Sequence, residues 1–412
     1  MPKIKEITCH KVVNSRGDWT ISTRVTLENG AFGEQTIPDG ASKGTHEAIS
    51  IPVPKAVDVV SSALNEALQG VMVYDQVQID RTMLEMDGTR NKRNLGGNSI
   101  LSVSMACAKA AATSKNLPLF AYLNTLYKTY TNSNCEAKLP TPVFNVINGG
   151  LHARNNLSFQ EFMVIPSMGF SYEKALEVGV TSYHLLKDLL EKEKFEVAVG
   201  DEGGFAPEGF DPEKALEFVR KAVSAKFKPG TDVCFGMDVA AGSFCKQHYY
   251  YLHELNKRYS GDELIAYYVD LLKRYEIIYL EDPFYEDHFD FWATLNAKLG
   301  KKLMIVGDDL VVTNKKLLQK ILPKNLINAV IVKPNQVGTL TETFDFVKLA
   351  KDNDLTLILS HRSGDTAEDT FIADLSVAVG AEFMKAGSPA RGERVAKYNR
   401  LLEIKRELVT IR

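Results

Sequence analysis

The sequence predicts an α/β protein with a C-terminal (β/α)8 barrel and an N-terminal α+β domain. Three observations predict it. Between Val197 and Lys385, short apolar runs repeatedly end in a charged or polar residue: VAVGDEGG, CFGMDVAA, IIYLEDP, LMIVGDDL, AVIVKPNQ, LILSHRSG and EFMKAGS. The residues that close these runs are Glu202, Asp238, Glu281, Asp308, Lys333, His361 and Lys385. From Asp238 on they are spaced by 43, 27, 25, 28 and 24 residues. Each shorter spacing holds one strand, one helix and two loops, the rhythm of a barrel whose strands deliver their last side chains to one rim. Segments with helical apolar spacing alternate with these runs. The first 37 residues, by contrast, read as strands without helices between them.

A chain of 412 residues fits two domains. Apolar residues at 45% and charged residues at 25% are ordinary for a globular protein. A formal charge of -3 argues against a general nucleic-acid binder. The five cysteines, Cys9, Cys107, Cys135, Cys234 and Cys245, form no C-x-x-C pair and read as free thiols of a reducing compartment. The N-terminal MPKIKEITCHKVVNSRG lacks a signal-peptide core, and no run approaches the ~20 apolar residues of a membrane span. A cytoplasmic location is the expectation.

Taken in order, IKEITCHKVV, WTISTRVTLE and AFGEQTIP alternate as strands, with a hairpin turn at Glu28-Asn29-Gly30. The stretch PDGASKGTHEA, residues 38–48, reads as a loop that faces a ligand. Residues 54–70 read as a helix with Pro54 near its start and Gly70 at its end. VYDQVQIDRTMLEMDG is a second helix, stopped at Gly88. SILSVSMACAKAAATSKN is a third, whose small residues imply close packing. The α+β domain is placed at residues 1–130 and the barrel at 138–412, with the junction in the polar YKTYTNSNCEAKLPTP. In the barrel, VFNVIN and EFMVIP are the opening strands. SYEKALEVGVTSYHLLKDLLEKEK and DPEKALEFVRKAVSAKF are the first helices, and five further helical segments follow. The aromatic KQHYYYLHEL reads as packing or a subunit-facing surface, because no basic residues interleave with it as in a base-stacking platform.

Asp238, Glu281 and Asp308 are hard oxygen donors, and with waters or substrate oxygens they fill the near-octahedral set that magnesium demands. Any one of them alone would pass as a salt-bridge partner; the three close consecutive strands. Asp309 stands beside Asp308, and composition does not choose between them. Lys333 ends an apolar strand, where a charge is costly unless paired or titrated; near a cation-rich cluster its pKa falls, as a general base requires. Glu202, among the glycines of GDEGG, suits a general acid if low dielectric or neighbouring negative charge holds its proton. His361, Arg362 and Ser363 offer a donor cluster for phosphate, which arginine grips with two parallel bonds. Lys385 is a further cation on the last strand.

These residues lie in motifs that resemble the enolase family. The likeness runs in the family's order through NSRG (14–17), GASKGTHEA (40–48), NVINGGLHARNNLSFQEFM (145–163), GDEGGFAP (200–207), GMDVAA (236–241), LEDPF (280–284), GDDLVVTN (307–314), KPNQVGTLTE (333–342), SHRSGDT (360–366) and RVAKYNRLLEI (394–404). The resemblance implies an enolase-type barrel and the interconversion of 2-phosphoglycerate and phosphoenolpyruvate with two Mg2+ per active site. It implies that Asp238, Glu281 and Asp308 hold the tighter metal and that Ser42 is a ligand of the second. Lys333 matches the base at C2. Glu202 matches the acid at the C3 hydroxyl, with Glu161 beside it. His152 and Ser42 match residues of closing loops. His361, Arg362, Ser363 and Lys385 match substrate contacts, joined by His152 and Glu161. A small phosphorylated substrate and a homodimer or higher homo-oligomer follow as partners, with no nucleic acid.

The chain departs from the family pattern in several places. A family stretch of about a dozen residues after Glu47 is shortened. Asp39 and Lys43 alter the first loop, and Leu151 and Arg154 alter the second. Ser22 and Glu403 replace residues that form a cross-subunit ion pair in familiar enolases. Two other readings compete: a non-catalytic enolase-like paralogue, and another superfamily enzyme acting on a different carboxylate. The latter group commonly carries a K-x-K base on an early strand, which is missing here.

Overall fold

The computed structural model describes residues 1–40, 44 and 46–409, and the backbone of 410 and 411. Strands β1 (Ile4–Val13), β2 (Trp19–Leu27) and β3 (Phe32–Thr36) form an antiparallel sheet in that order, turning at Gly30 with φ of 84°. The helix Gly97–Ser114 lies directly on this sheet. A Cβ at Gly33 would stand 2.2 Å from the Ala110 amide nitrogen, so strand and helix touch backbone to backbone. This is the close packing its small residues imply. The helix expected over 54–70 runs Val53–Val59, loosens into a wider turn over Val60–Leu64, resumes over Asn65–Leu68 and ends before Gly70. The next, Gln76–Asp87, is capped by the Asp75 side chain and stopped by Gly88 at φ 65°.

The barrel has eight strands: β4 (Thr141–Asn148), β5 (Glu161–Pro166), β6 (Val233–Asp238), β10 (Ile277–Glu281), β11 (Met304–Gly307), β12 (Ala329–Val332), β13 (Thr356–Ser360) and β14 (Phe383–Lys385). Between β6 and β10 a small sheet is inserted, β7 (Cys245–Lys246), β8 (Tyr249–Leu252) and β9 (Lys257–Tyr259), built from the aromatic stretch. Tyr250 is buried and Tyr249 exposed, so this stretch is in part packing.

Two details correct the expected pattern. β5 pairs antiparallel with both β4 and β6, so the barrel is not uniformly parallel. And VAVGDEGG is not a barrel strand. It lies in the loop between the helices Tyr172–Lys192 and Pro212–Val223, as a turn closed by the Gly200 N–H donating to the Gly204 carbonyl at 2.8 Å. Gly203, at φ 83°, supplies the left-handed residue that this turn needs and a strand would exclude.

The barrel interior is filled by Val143, Met163, Ile165, Tyr279, Val306, Ala329, Ile331, Ile358 and Phe383. Side chains two residues apart on a strand share a face. Stepping two residues from these toward one end gives Asn145, Glu161, Glu281, Asp308, Lys333, Ser360 and Lys385. The same periodicity that builds the core therefore aims this set at the axis on one rim. No helix among the described residues is long and apolar enough to cross a membrane.

Candidate active site

On that rim, Lys385 is the centre of one cluster. Its Nζ lies 2.8 Å from Glu281 Oε2, 3.1 Å from Asp238 Oδ2 and 3.2 Å from Glu161 Oε1. Burial opposes its charge, but the three carboxylates outweigh burial and hold the ammonium well above the usual lysine range. Burial and the Asp238 charge push Glu281 up to about 8. The Tyr279 hydroxyl donates to Glu281 Oε2, and Gln160 donates to Asp238 Oδ2 at 3.2 Å.

Lys333 and Asp308 form a second cluster through a direct ion pair. A closed ring of bonds positions it. The Lys333 N–H donates to Thr313 Oγ1 (2.9 Å), Thr313 donates to Gln336 Oε1 (2.7 Å), and Gln336 donates to Asp308 Oδ1 (2.9 Å). Behind them Asp282 accepts from the backbone N–H groups of Asp308 (3.0 Å) and Asp309 (2.8 Å). Burial disfavours the Lys333 charge, yet Asp308 holds the amine above its ordinary range, opposite to the lowering expected for a base. The cause is the ionised Asp308 against its ammonium. Asp308 is correspondingly held low against burial by Lys333. Asp309 Oδ1 also lies beside Gly44.

A third cluster joins Glu202, Glu161, His152 and His361. Glu202 Oε1 lies 3.2 Å from His361 Nε2 and 3.6 Å from His152 Nδ1, and Asn145 donates to Oε2 at 3.1 Å. Burial would raise Glu202, but His152, His361 and Lys385 hold it well below the carboxylate range. Burial and the Glu202 charge drive Glu161 well above that range. The pair thus differs from the expectation for Glu202 alone: Glu202 is pushed down and Glu161 up, so Glu161 is the weaker acid of the two. From the helix Gly392–Ile411, the buried Arg394 donates to His361 Nδ1 (2.6 Å), Asp365 Oδ1 (2.6 Å), and the carbonyls of Ser363 (2.7 Å) and Asp201 (3.0 Å). Guanidinium only donates, so Nδ1 accepts and the ring proton stands on Nε2, toward Glu202.

One polar cleft is lined by His152, Glu161, Glu202, Asp238, Lys333, His361, Arg362, Ser363 and Lys385, with Gly40 closing one side. A Cβ at Gly40 would stand 1.9 Å from an Arg362 guanidinium nitrogen, so only glycine lets that side chain lie there. Arg362 also donates to Glu47 at 3.0 Å, and Arg16 of the N-terminal domain donates to Ser363 Oγ at 3.2 Å. Asp39 pairs by its backbone with Gly364. Glu281 and Asp308 stand behind the cleft wall. A larger cavity of about 620 Å³ beside Glu47, Lys92 and Lys315 holds none of the candidate catalytic groups. Ser42, with Lys43, lies outside the described residues.

A family model described as the N-terminal domain of enolase matches residues 4–123, and one described as its C-terminal TIM barrel domain matches 136–411. The chain belongs to the enolase family. Of the family positions altered here, Leu151 and Arg154 are exposed and do not line the cleft. Ser22 donates to Glu34 at 3.1 Å and Glu403 accepts from Arg400 at 3.1 Å, so both are satisfied within the chain.

Enolase-family sites take divalent cations, and the donor set here fits them. Glu281 Oε1 and Glu161 Oε2 are buried oxygens with no hydrogen-bond partner among the described residues, which a cation would satisfy. Among the described residues, the sets with ligand atoms all within 4.8 Å of one another are Asp282, Asp308 and Asp309, and His152, Glu161 and Glu202. The expected set Asp238, Glu281 and Asp308 is not among them, because Lys385 draws the first two and Lys333 the third. Asp282, Gln160, Gln336, Asn145 and Arg394 escaped the sequence reading. Asp282, next to Glu281 in LEDP, carried the one visible signal, a second acidic residue at a strand end.

Proposed function

We propose that the chain catalyses the Mg2+-dependent, reversible dehydration of 2-phospho-D-glycerate to phosphoenolpyruvate. The observation that supports this most is a single cleft with Lys333 among its walls together with Glu161, Glu202 and His361, with Arg362 and Ser363 at its edge. Dehydration next to a carboxylate needs a base for the C2 proton and an acid for the C3 hydroxyl, acting on one small molecule. Lys333 is the base, Glu202 with Glu161 is the acid pair, and Arg362 and Ser363 bind the phosphate.

Asp238, Glu281 and Asp308 would hold one Mg2+, and Ser42 would contribute to a second. Such cations stabilise the negative charge that builds on the substrate carboxylate when C2 loses its proton. Lys385 adds a fixed positive charge among the same carboxylates. For Lys333 to accept a proton, its amine must first be released from Asp308, which now keeps it charged. His152 and His361 keep Glu202 ionised, so the proton delivered to the leaving hydroxyl is drawn from the Glu161–Glu202 pair as a unit. His152 closes over the substrate, and the enzyme works as a homodimer or larger homo-oligomer.

Exchange of the C2 proton with solvent separates the two roles. Lys333→Ala is expected to stop exchange. Glu202→Gln is expected to block phosphoenolpyruvate formation while some exchange continues. Normal exchange in Lys333→Ala would mean that another group is the base.

A further inference from the structure

Away from the cleft, two histidines meet on loops of the same end of the barrel. His248 lies in the turn of the β7–β8 hairpin, and His288 in the loop after β10. His248 Nδ1 and His288 Nε2 are 3.0 Å apart. Two nitrogens bound to one ion at about 2.0–2.1 Å stand about 2.9 Å apart at a right angle and about 3.3 Å apart at the tetrahedral angle. The observed separation falls within that interval.

The second nitrogen of His288 is already committed. His288 Nδ1 is 2.6 Å from the hydroxyl oxygen of Tyr250, which also accepts from the Tyr285 N–H at 3.2 Å. In the tautomer with its proton on Nδ1, His288 donates to this phenol oxygen. The Nε2 lone pair is then free and turned toward His248. This is the outer contact that a metal-bound imidazole ordinarily has, and here it comes from a fully buried tyrosine.

The hairpin turn adds an independent observation. Gln247 and His248 have φ of 49° and 67°. Consecutive left-handed residues form the two-residue hairpin turn that normally carries Asn-Gly or Asp-Gly. Placing Gln-His there costs on the order of 1 kcal/mol per residue, and the conformation brings the imidazole onto His288. The two rings are nearly parallel, with centroids 5.1 Å apart and planes at 25°, and meet edge to edge at these nitrogens. His248 is exposed, so an ion reaches the pair from solvent, and water fills the remaining positions.

We propose that His248 and His288 form a binding site for an imidazole-preferring divalent ion of the first transition row, with Zn2+ as the representative. The site is separate from the carboxylate cleft and does not depend on the reaction assigned to it. Binding replaces the proton between the two nitrogens with the ion, and that proton moves to Nε2 of the exposed His248, so both rings stay neutral.

Calorimetric titration with Zn2+ tests this, on chelator-stripped whole protein in millimolar Mg2+ to occupy the carboxylates. The wild type is expected to take up Zn2+ at a site that both His248→Ala and His288→Ala weaken by about tenfold or more. His10→Ala, at an exposed histidine on β1, is expected to bind as the wild type does. Circular dichroism checks that each variant is folded, and X-ray absorption on the Zn2+-loaded wild type is expected to report two imidazole nitrogens. Equal isotherms for wild type, His248→Ala and His288→Ala would overturn the proposal and leave the pair as a hydrogen bond between neutral rings. Loss in His288→Ala alone would overturn the two-imidazole site as well.

Discussion

Glu161 and Glu202 are two carboxylates in one cleft whose surroundings separate their acidities. Both are buried, yet Glu202 has two imidazoles against it and Glu161 has Glu202. Lys333 shows the complementary case, an amine kept charged by one aspartate. Such separations mark sites where protons are moved. At the edge proposed to bind phosphate, Gly40 matters because Arg362 lies where its side chain would be. Gly40→Ala is expected to displace the guanidinium and raise KM for the phosphorylated substrate about tenfold or more, equivalent to about 1.4 kcal/mol. The thermal midpoint should fall as well, since Gly40 and the Arg362 it would displace are both buried. Steady-state kinetics with a melting curve checks both.

At the scale of elements, the barrel strands do two jobs with one periodicity: residue n fills the core and residue n+2, or n−2 on the antiparallel β5, reaches the rim. Gly236 on β6 leaves room for Tyr279, whose hydroxyl holds Glu281. A Cβ there would stand 3.0 Å from Tyr279 Cβ and 3.1 Å from Ile165 Cδ1. Gly236→Ala is expected to cost about 1–3 kcal/mol by overpacking, measured by urea unfolding. The last helix acts on the site through Arg394, which ties the loop carrying Glu202 to the loop carrying His361. Arg394→Gln removes the cation beside buried Asp365 and the fixed donor to His361. It is expected to cost about 3–5 kcal/mol, although Lys397 still pairs with Asp365. It should also shift the pH profile of kcat.

The strand ends were legible because charged residues closing apolar runs stand out against the core pattern, as Asp238, Glu281, Lys333 and Lys385 do. The run before Glu202 looked the same, but its glycines make a turn, and single-sequence periodicity does not separate a short apolar turn from a strand. The antiparallel β5 was not legible either, since EFMVIP reads alike in both directions. Arg394 and Gln336 sit on helices with ordinary helical spacing, and only the folded chain shows what they touch. The assignment of the metal and substrate residues came from the resemblance rather than from spacing.

For the whole molecule, burial raises Glu281 to about 8 and Asp309 to about 7. An unfolded chain ionises such groups near about 4. The folded state therefore binds more protons between these values. The stability these two groups contribute is full below about 4 and is lost as pH rises through about 7–8. The depressed groups Glu202, Asp308 and Asp365 act in the opposite sense, losing their contribution only as pH falls below about 4, so they stay constant above pH 5. In chelator, the thermal midpoint is expected to fall from pH 5 to pH 8. Excess Mg2+, which binds the ionised carboxylates, is expected to restore it at pH 8 far more than at pH 5. Differential scanning calorimetry at the two pH values reads this directly.

In the proposed function, the cleft, its neighbouring carboxylates and the Arg362–Ser363 edge act in one reaction. The most direct measurement follows the ultraviolet absorbance of phosphoenolpyruvate after 2-phospho-D-glycerate is added to purified protein, with Mg2+ and with chelator. Absorbance is expected to rise with Mg2+ and to stay flat in chelator. A flat trace from folded, Mg2+-loaded protein would contradict the account.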